Sequence, residues 1–194
     1  MIKKLFPLFI LALVLAGCSG NSAPRASQPT LGNPNASVVV EEFSDLQCPA
    51  CGLISPQVKQ VVEANPNIAQ LRYFHFPLPQ HPYAFKAAEA AECALDQGKF
   101  WDYVGLTFQN QKNLNFDSLY SMAKTLGLDE SKFKECLDSG SKKDLVKADL
   151  GEGYRRGVRA TPTIYVNGQE ARFTSYESFG NYLQSLATAA QAQP

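Results

Sequence analysis

Residues 48 to 51 read Cys48-Pro49-Ala50-Cys51, two thiols separated by two side chains that carry no charge. Three kinds of chemistry suit so close a pair. It can supply two ligands of a structural zinc, lock as a permanent disulfide, or cycle between dithiol and disulfide. Zinc needs two further ligands, commonly a second close pair. The downstream cysteines, Cys93 and Cys136, lie far apart, and the two histidines, His75 and His81, do not have a zinc-finger spacing. A permanent staple is poorly served as well. So short a loop removes little chain entropy and strains the bond, which makes it labile and more oxidising. Those properties suit an exchange couple.

The flanking pattern supports redox chemistry on physical grounds. "SVVVEEF" at 37–43 is a β-branched run, read as a buried strand that leads into Cys48. From Gly52 to Ala64 the apolar positions Leu53, Val58, Val61 and Val62 have helical spacing, with Pro56 inside, where a kink is expected. Cys48 would therefore occupy the first turn of a helix, where unpaired N–H groups and the positive end of the helix dipole stabilise a thiolate. Cys51, one turn further in, would be the more buried, resolving thiol. Pro49 at an early helical position costs no hydrogen bond.

Further elements follow in order. "IAQLRYFHF" at 68–76 reads as a second strand. From 83 to 156 the pattern is helical throughout. Asp129 is placed to cap one helix there, with Leu128 and Phe133 as its hydrophobic staple. His81, just ahead of Pro82, is expected to orient the first of these helices, and Trp101 to pack in a core or hinge. A hairpin is predicted from 163–166, the turn pair Asn167-Gly168, and 170–173. A final helix follows, with Ser175 as N-cap and Tyr176, Phe179, Tyr182, Leu183 and Leu186 along one side. The fold class is α/β: a strand, C-x-x-C at a helix start and a late hairpin, interrupted by a helical block.

The N-terminus reads as an export signal. Lys3 and Lys4 precede an uncharged apolar run, residues 5 to 16, too short to span a bilayer. It ends in Leu15-Ala16-Gly17-Cys18, which looks like a bacterial lipobox with Cys18 as the lipidated residue. That reading gives residues 1 to 17 as a lipoprotein signal peptide. Residues 18 to 36, rich in Ser, Pro, Asn and Gly, read as a flexible membrane tether. The chain would face the periplasm or the outside, in a compartment where disulfides persist. Charge is balanced, with 18 basic and 18 acidic residues and no basic stripe, which points away from a nucleic-acid partner.

Three ordered stretches carry a family resemblance: "VVVEEFSDLQCPACGLISP" at 38–56, "FPLPQHPYAFKAAEAAECALDQGKFWDY" at 76–103 and "GVRATPTIYVNG" at 157–168. Together they resemble the DsbA-like thiol:disulfide oxidoreductases. The resemblance implies a thioredoxin-like fold, residues 37–82 and 157–194, with an inserted all-helical domain and return helix at 83–156. It implies Cys48 as nucleophile, Cys51 as resolving thiol, and Pro162, preceded by Thr161, as a cis-proline facing them. Glu42 matches the family's buried acid. Adjacent Glu41 competes for that role, and since strand alternation sends only one of the two inward, Glu42 is favoured. Similar second cysteine pairs occur in parts of the family, and export favours Cys93–Cys136 as a structural disulfide.

The implied activity is disulfide formation in cysteine-containing exported proteins, by a monomer that needs no organic cofactor or metal and is reoxidised by a quinone-linked membrane partner. A reductase serving envelope thiols and a non-catalytic binding lipoprotein are the rival readings. One position departs from the pattern. The best-known strong oxidants of this family carry histidine where Ala50 stands, so a less depressed Cys48 pKa and a less oxidising couple are expected here.

Overall fold

In the computed structural model, which describes residues 28 to 191, the cysteine turn leaves the end of a central strand. The strands are β1 (Thr30–Gly32), β2 (Val38–Ser44), β3 (Ala69–His75), β4 (Thr163–Val166) and β5 (Gln169–Glu170). They form one sheet in the order β1-β3-β2-β4-β5, with β2 and β3 parallel and the other pairs antiparallel. Helix α1 (Pro49–Ala64) follows β2, and α2 (Ala84–Leu95), α3 (Phe100–Gln109), α4 (Phe116–Thr125) and α5 (Glu130–Ser139) make the inserted block. A short 3₁₀ turn, Gln111–Asn113, links α3 to α4. Helix α6 (Lys143–Arg155) returns the chain to the sheet, and α7 (Tyr176–Gln191) closes it. The mixed α/β architecture is the expected thioredoxin-like fold with a helical insertion.

Alternation along β2 decides what lies under the cysteines. Val38 and Val40 point to the face covered by α1 and α7, where Val58, Val61, Val62, Phe179 and Leu183 complete a core. Glu42 and Ser44 continue on that side, because successive strand residues alternate faces. Phe43 points the other way and packs with Phe74, Phe76, Val158 and Tyr165. Helix α6 covers this second face closely: a Cβ on Gly153 would lie 2.5 Å from the Phe76 ring. A third core fills the helical block, and the cysteine turn is part of it. Leu46, Cys48 and Cys51 are buried there with Tyr73, Ala87, Phe100, Tyr103 and Phe133.

Within the block, the Asp129 carboxylate accepts from the N–H groups of Ser131 and Lys132, the cap its position predicts. Helix α4 carries a capping box between Asn115 and Ser118. A disulfide joins Cys93 on α2 to Cys136 on α5, with 5.9 Å between the Cα atoms. Trp101 is partly buried and packs against both the helical core and the α1–α7 core.

Four expectations need correction. The tether does not extend to residue 36, because Thr30–Gly32 pairs with β3 and Pro29 accepts from the Tyr73 N–H. An edge strand gains its hold from backbone hydrogen bonds, which a Ser- and Pro-rich composition does not advertise. Residues 1 to 17 and Cys18 lie outside the described residues. Helix α1 starts at Pro49, so Cys48 is its N-cap and precedes the first turn; proline at the first helical position suits that start. The second hairpin strand is only Gln169–Glu170, after a turn in which Asn167 and Gly168 both have positive φ. On α7, Tyr182 is exposed and Ala187 is buried in the core. Ser175 and Ser178 cap that helix reciprocally.

Candidate active site

Cys48 closes the turn after β2: its N–H donates to the Asp45 carbonyl, and its own carbonyl accepts from the Gly52 N–H. Both cysteines carry unjoined thiols. Cys48 is 7% exposed and Cys51 0%, so only the first can meet a partner sulfur. The Thr161-Pro162 bond is cis, and the Thr161 carbonyl lies 3.5 Å from Cys48 Sγ. Residues separated by more than a hundred positions thus meet at one sulfur. Thr161 is buried and its hydroxyl has no protein partner.

Cys51 sits in a pocket of its own. The Asp45 N–H donates to its sulfur at 3.4 Å. Burial drives this thiol well above its ordinary range, opposed chiefly by the hydrogen bond from the Asp45 backbone. The charged thiolate is therefore costly there, and a proton must be at hand whenever Cys51 is released.

Glu42 is placed to hold such a proton. It is fully buried, paired in register with Tyr73 on β3 and Ile164 on β4. Burial pushes its carboxyl up to about 7, while hydrogen bonds from Ser55 and Ser44 pull it down. The Ser55 hydroxyl donates to Oε1, and the Ser44 and Ser55 hydroxyls are 3.0 Å apart. The other oxygen, Oε2, and the Tyr73 hydroxyl have no protein partner. Both residues line a cavity of about 440 Å³ between α1 and α3, walled by Trp101 and Phe108 and reaching Lys59. Glu41 is not under the disulfide. Its carboxylate pairs with Arg156 at 2.9 Å on the opposite face, and that guanidinium stacks on Tyr165.

Asp45 and Gln111 organise the turn, and neither stood out in the sequence. The Asp45 carboxylate accepts from the N–H groups of Gln47 and Leu78 and contacts His81 Nδ1 at 2.7 Å. His81 does orient the entry to the helical block, through Asp45. Ser44 could have been found by alternation from Glu42, and Ser55 by its position one turn after Cys51. Gln111 carries no local signal, because it is far along the chain from the turn it touches.

The match to known proteins runs through these same elements. The family model described as Thioredoxin matches residues 25–185. The BdbD protein from Bacillus subtilis, in its oxidised crystal structure, is 25% identical with a TM-score of 0.72, covering 83% of this chain and 93% of that one. The thiol-disulfide exchange protein alpha-DsbA2 from Wolbachia pipientis has a TM-score of 0.73 at 22% identity, over 82% and 87% of the two chains. In sequence, a protein of Salinispora arenicola named as a Na(+)/H(+) antiporter NhaA 1 is 37% identical over 139 residues. That alignment takes in 71% of this chain and 21% of the antiporter, so the chain spans about a fifth of the length of the curated relatives it matches. Among the described residues no helix is long and apolar enough to cross a membrane.

Proposed function

The chain belongs to the thioredoxin family, in the DsbA-like form that carries a helical insertion, and from that premise we propose that it oxidises the thiols of exported proteins through Cys48 and Cys51. The observation that supports this most is the division of labour between the two sulfurs. Cys48 caps a helix beside the Thr161 carbonyl, while Cys51 is fully buried, as is Glu42, whose carboxylate is tied to the Ser44 and Ser55 hydroxyls. No antiport is proposed, because the chain corresponds to only a fifth of the proteins so named.

In the forward reaction the Cys48–Cys51 disulfide is attacked at Cys48 by a substrate thiolate. A substrate–Cys48 bond forms, and the Cys48–Cys51 bond breaks. Cys51 leaves with the electron pair and takes a proton from Glu42, with the Ser44 and Ser55 hydroxyls between them. A second substrate thiolate then attacks the substrate sulfur of the mixed disulfide and expels Cys48 as a thiolate. The substrate gains one disulfide, and two electrons reside on the enzyme's dithiol. An acid poised near neutrality can give up or accept that proton in either direction. The adjoining cavity, which Glu42 lines, lies between α1 and α3. The Thr161 backbone is available to pair with an extended substrate chain beside Cys48.

The proposed setting is the bacterial envelope, with the chain held to the membrane by lipid on Cys18 and reoxidised by a quinone-linked membrane partner. A Cys51→Ser variant tests the reading. With no resolving thiol, mixed disulfides with cysteine-containing proteins accumulate on Cys48 and are released by reductant. If none accumulates, the exchange function is wrong. The equilibrium with glutathione then assigns direction: a value near the periplasmic oxidants supports an oxidase, one near thioredoxin a reductase.

A further inference from the structure

The helical insertion sends one side chain, that of Gln111, onto the backbone of the redox turn. Gln111 lies in the short 3₁₀ turn between α3 and α4. Its side-chain N–H₂ group donates to two carbonyls of the redox turn, Leu46 at 3.0 Å and Cys48 at 2.8 Å. The Cys48 carbonyl also takes the first helical hydrogen bond, from Gly52 at 3.1 Å. The Gln111 amide oxygen occupies the space that a Cβ on residue 52 would need, so glycine there is what lets the amide in. Two further ties bind the same turn to the start of the block. The Tyr83 N–H donates to Gln47 Oε1 at 2.8 Å, and Asp45 contacts His81.

We propose that Gln111 is a positioning residue for the redox couple: its amide clamps the Leu46–Cys48 turn and sets how strongly Cys48 favours its reduced, anionic form. The inference rests on the reading of Cys48 and Cys51 as an exchange couple. The two donor N–H groups on the Leu46 and Cys48 carbonyls keep the turn closed and hold Cys48 at the N-cap of α1, where the positive end of the helix dipole favours a thiolate. Loss of the clamp disfavours the thiolate, and with it the reduced protein, so the couple becomes less oxidising. The size of the effect is that of a net hydrogen bond, about three- to tenfold in an equilibrium constant. This gives the insertion a role in the chemistry beyond covering the site.

The test is a double-mutant cycle of Gln111→Ala and Gly52→Ala, read by equilibrium with glutathione and by the alkylation rate of Cys48 at neutral pH. Gln111→Ala shifts the equilibrium toward the disulfide by about three- to tenfold and slows alkylation correspondingly. Gly52→Ala does the same by pushing the amide out, and adds nothing in the Gln111→Ala background. Gln111→Glu keeps the shape but replaces the donor with an anion, so it shifts the equilibrium the same way and further than Gln111→Ala, even if the alanine variant folds poorly. A merely structural role would lower the melting temperature of oxidised and reduced protein equally and leave the glutathione equilibrium in place. That result, or fully additive effects of the two substitutions, overturns the clamp while the exchange reading stands. Wild-type protein inert toward glutathione overturns both.

Discussion

The chain holds two cysteine pairs built on opposite terms. Cys48 and Cys51 are three positions apart, lie at the start of α1, and are unjoined, one at the edge of solvent and one sealed. Cys93 and Cys136 are separated by 43 positions, joined, and set between α2 and α5 within the helical core. The short pair closes almost no loop, so its disulfide contributes little to holding the fold and can be made and broken without unfolding it. The long pair closes a loop large enough to constrain the unfolded chain. Its Cys136 sulfur has the Ser141 hydroxyl at 3.5 Å. The electrostatics around a cysteine pair and the loop it closes, more than the presence of sulfur, separate catalyst from staple.

The strongest way to break this contrast is to remove the long pair. The Cys93→Ala/Cys136→Ala double variant loses up to about 4 kcal/mol of stability, the chain-entropy value for a loop of this length. That appears as a fall in melting temperature of roughly 10 °C for a domain of this size. Its exchange rate with glutathione, measured well below that temperature, stays at the wild-type value. If the exchange rate collapsed while the fold survived, Cys93 and Cys136 would belong to the redox machinery.

Glu42 sharpens the comparison next. Its carboxyl is raised from an ordinary 4.5 to about 7 by burial, so the folded protein holds a proton there that the unfolded chain gives up. An acid raised on folding makes stability fall as pH rises from about 4.5 through 7. Glu42→Gln removes that loss. The variant is therefore more stable than wild type at pH 8 by up to ~3 kcal/mol, with the difference shrinking toward pH 4. With no proton to give the departing Cys51, its exchange step slows, and the fall in rate expected of wild type as Glu42 loses its proton through pH 7 disappears. Glu41→Gln is the matched control. It touches only a partly exposed pair with Arg156, worth at most about 1 kcal/mol, and leaves the pH profile of exchange unchanged.

How much of this was legible in the sequence follows from how local each constraint is. The C-x-x-C, the strand before it and the Asn167-Gly168 turn are contiguous, and their physics is readable from a few residues. Glu42 over Glu41 came from the family resemblance, with alternation adding that only one of the two could point inward. What could not be read are the contacts that only the fold assembles. Gln111 and Asp45 are ordinary polar residues until α3 and β3 bring their partners into reach. Strand β1 was hidden for a different reason. It is held by main-chain hydrogen bonds to β3, and those leave no mark on side-chain composition.

The smallest expected effect concerns the two residues between Cys48 and Cys51. Ala50 is exposed at the second position of α1, so a larger side chain there meets no core. It contributes no donor to the Cys48 sulfur. An imidazole in its place can donate a charge-assisted hydrogen bond to the thiolate, worth about 1.5 kcal/mol or slightly more. Because that bond exists only in the reduced protein, Ala50→His moves the glutathione equilibrium about tenfold toward the dithiol and makes the couple more oxidising. A thermodynamic cycle fixes a second observable. Whatever the disulfide loses, the reduced protein gains in folding stability relative to the oxidised one, so the gap between their unfolding free energies must change by the same ~1.5 kcal/mol. Equal shifts in the two measurements assign the effect to the Cys48–Cys51 couple. A changed equilibrium without the matching stability gap would mean that the histidine acts on the partner's encounter with Cys48 and leaves the couple itself as it was.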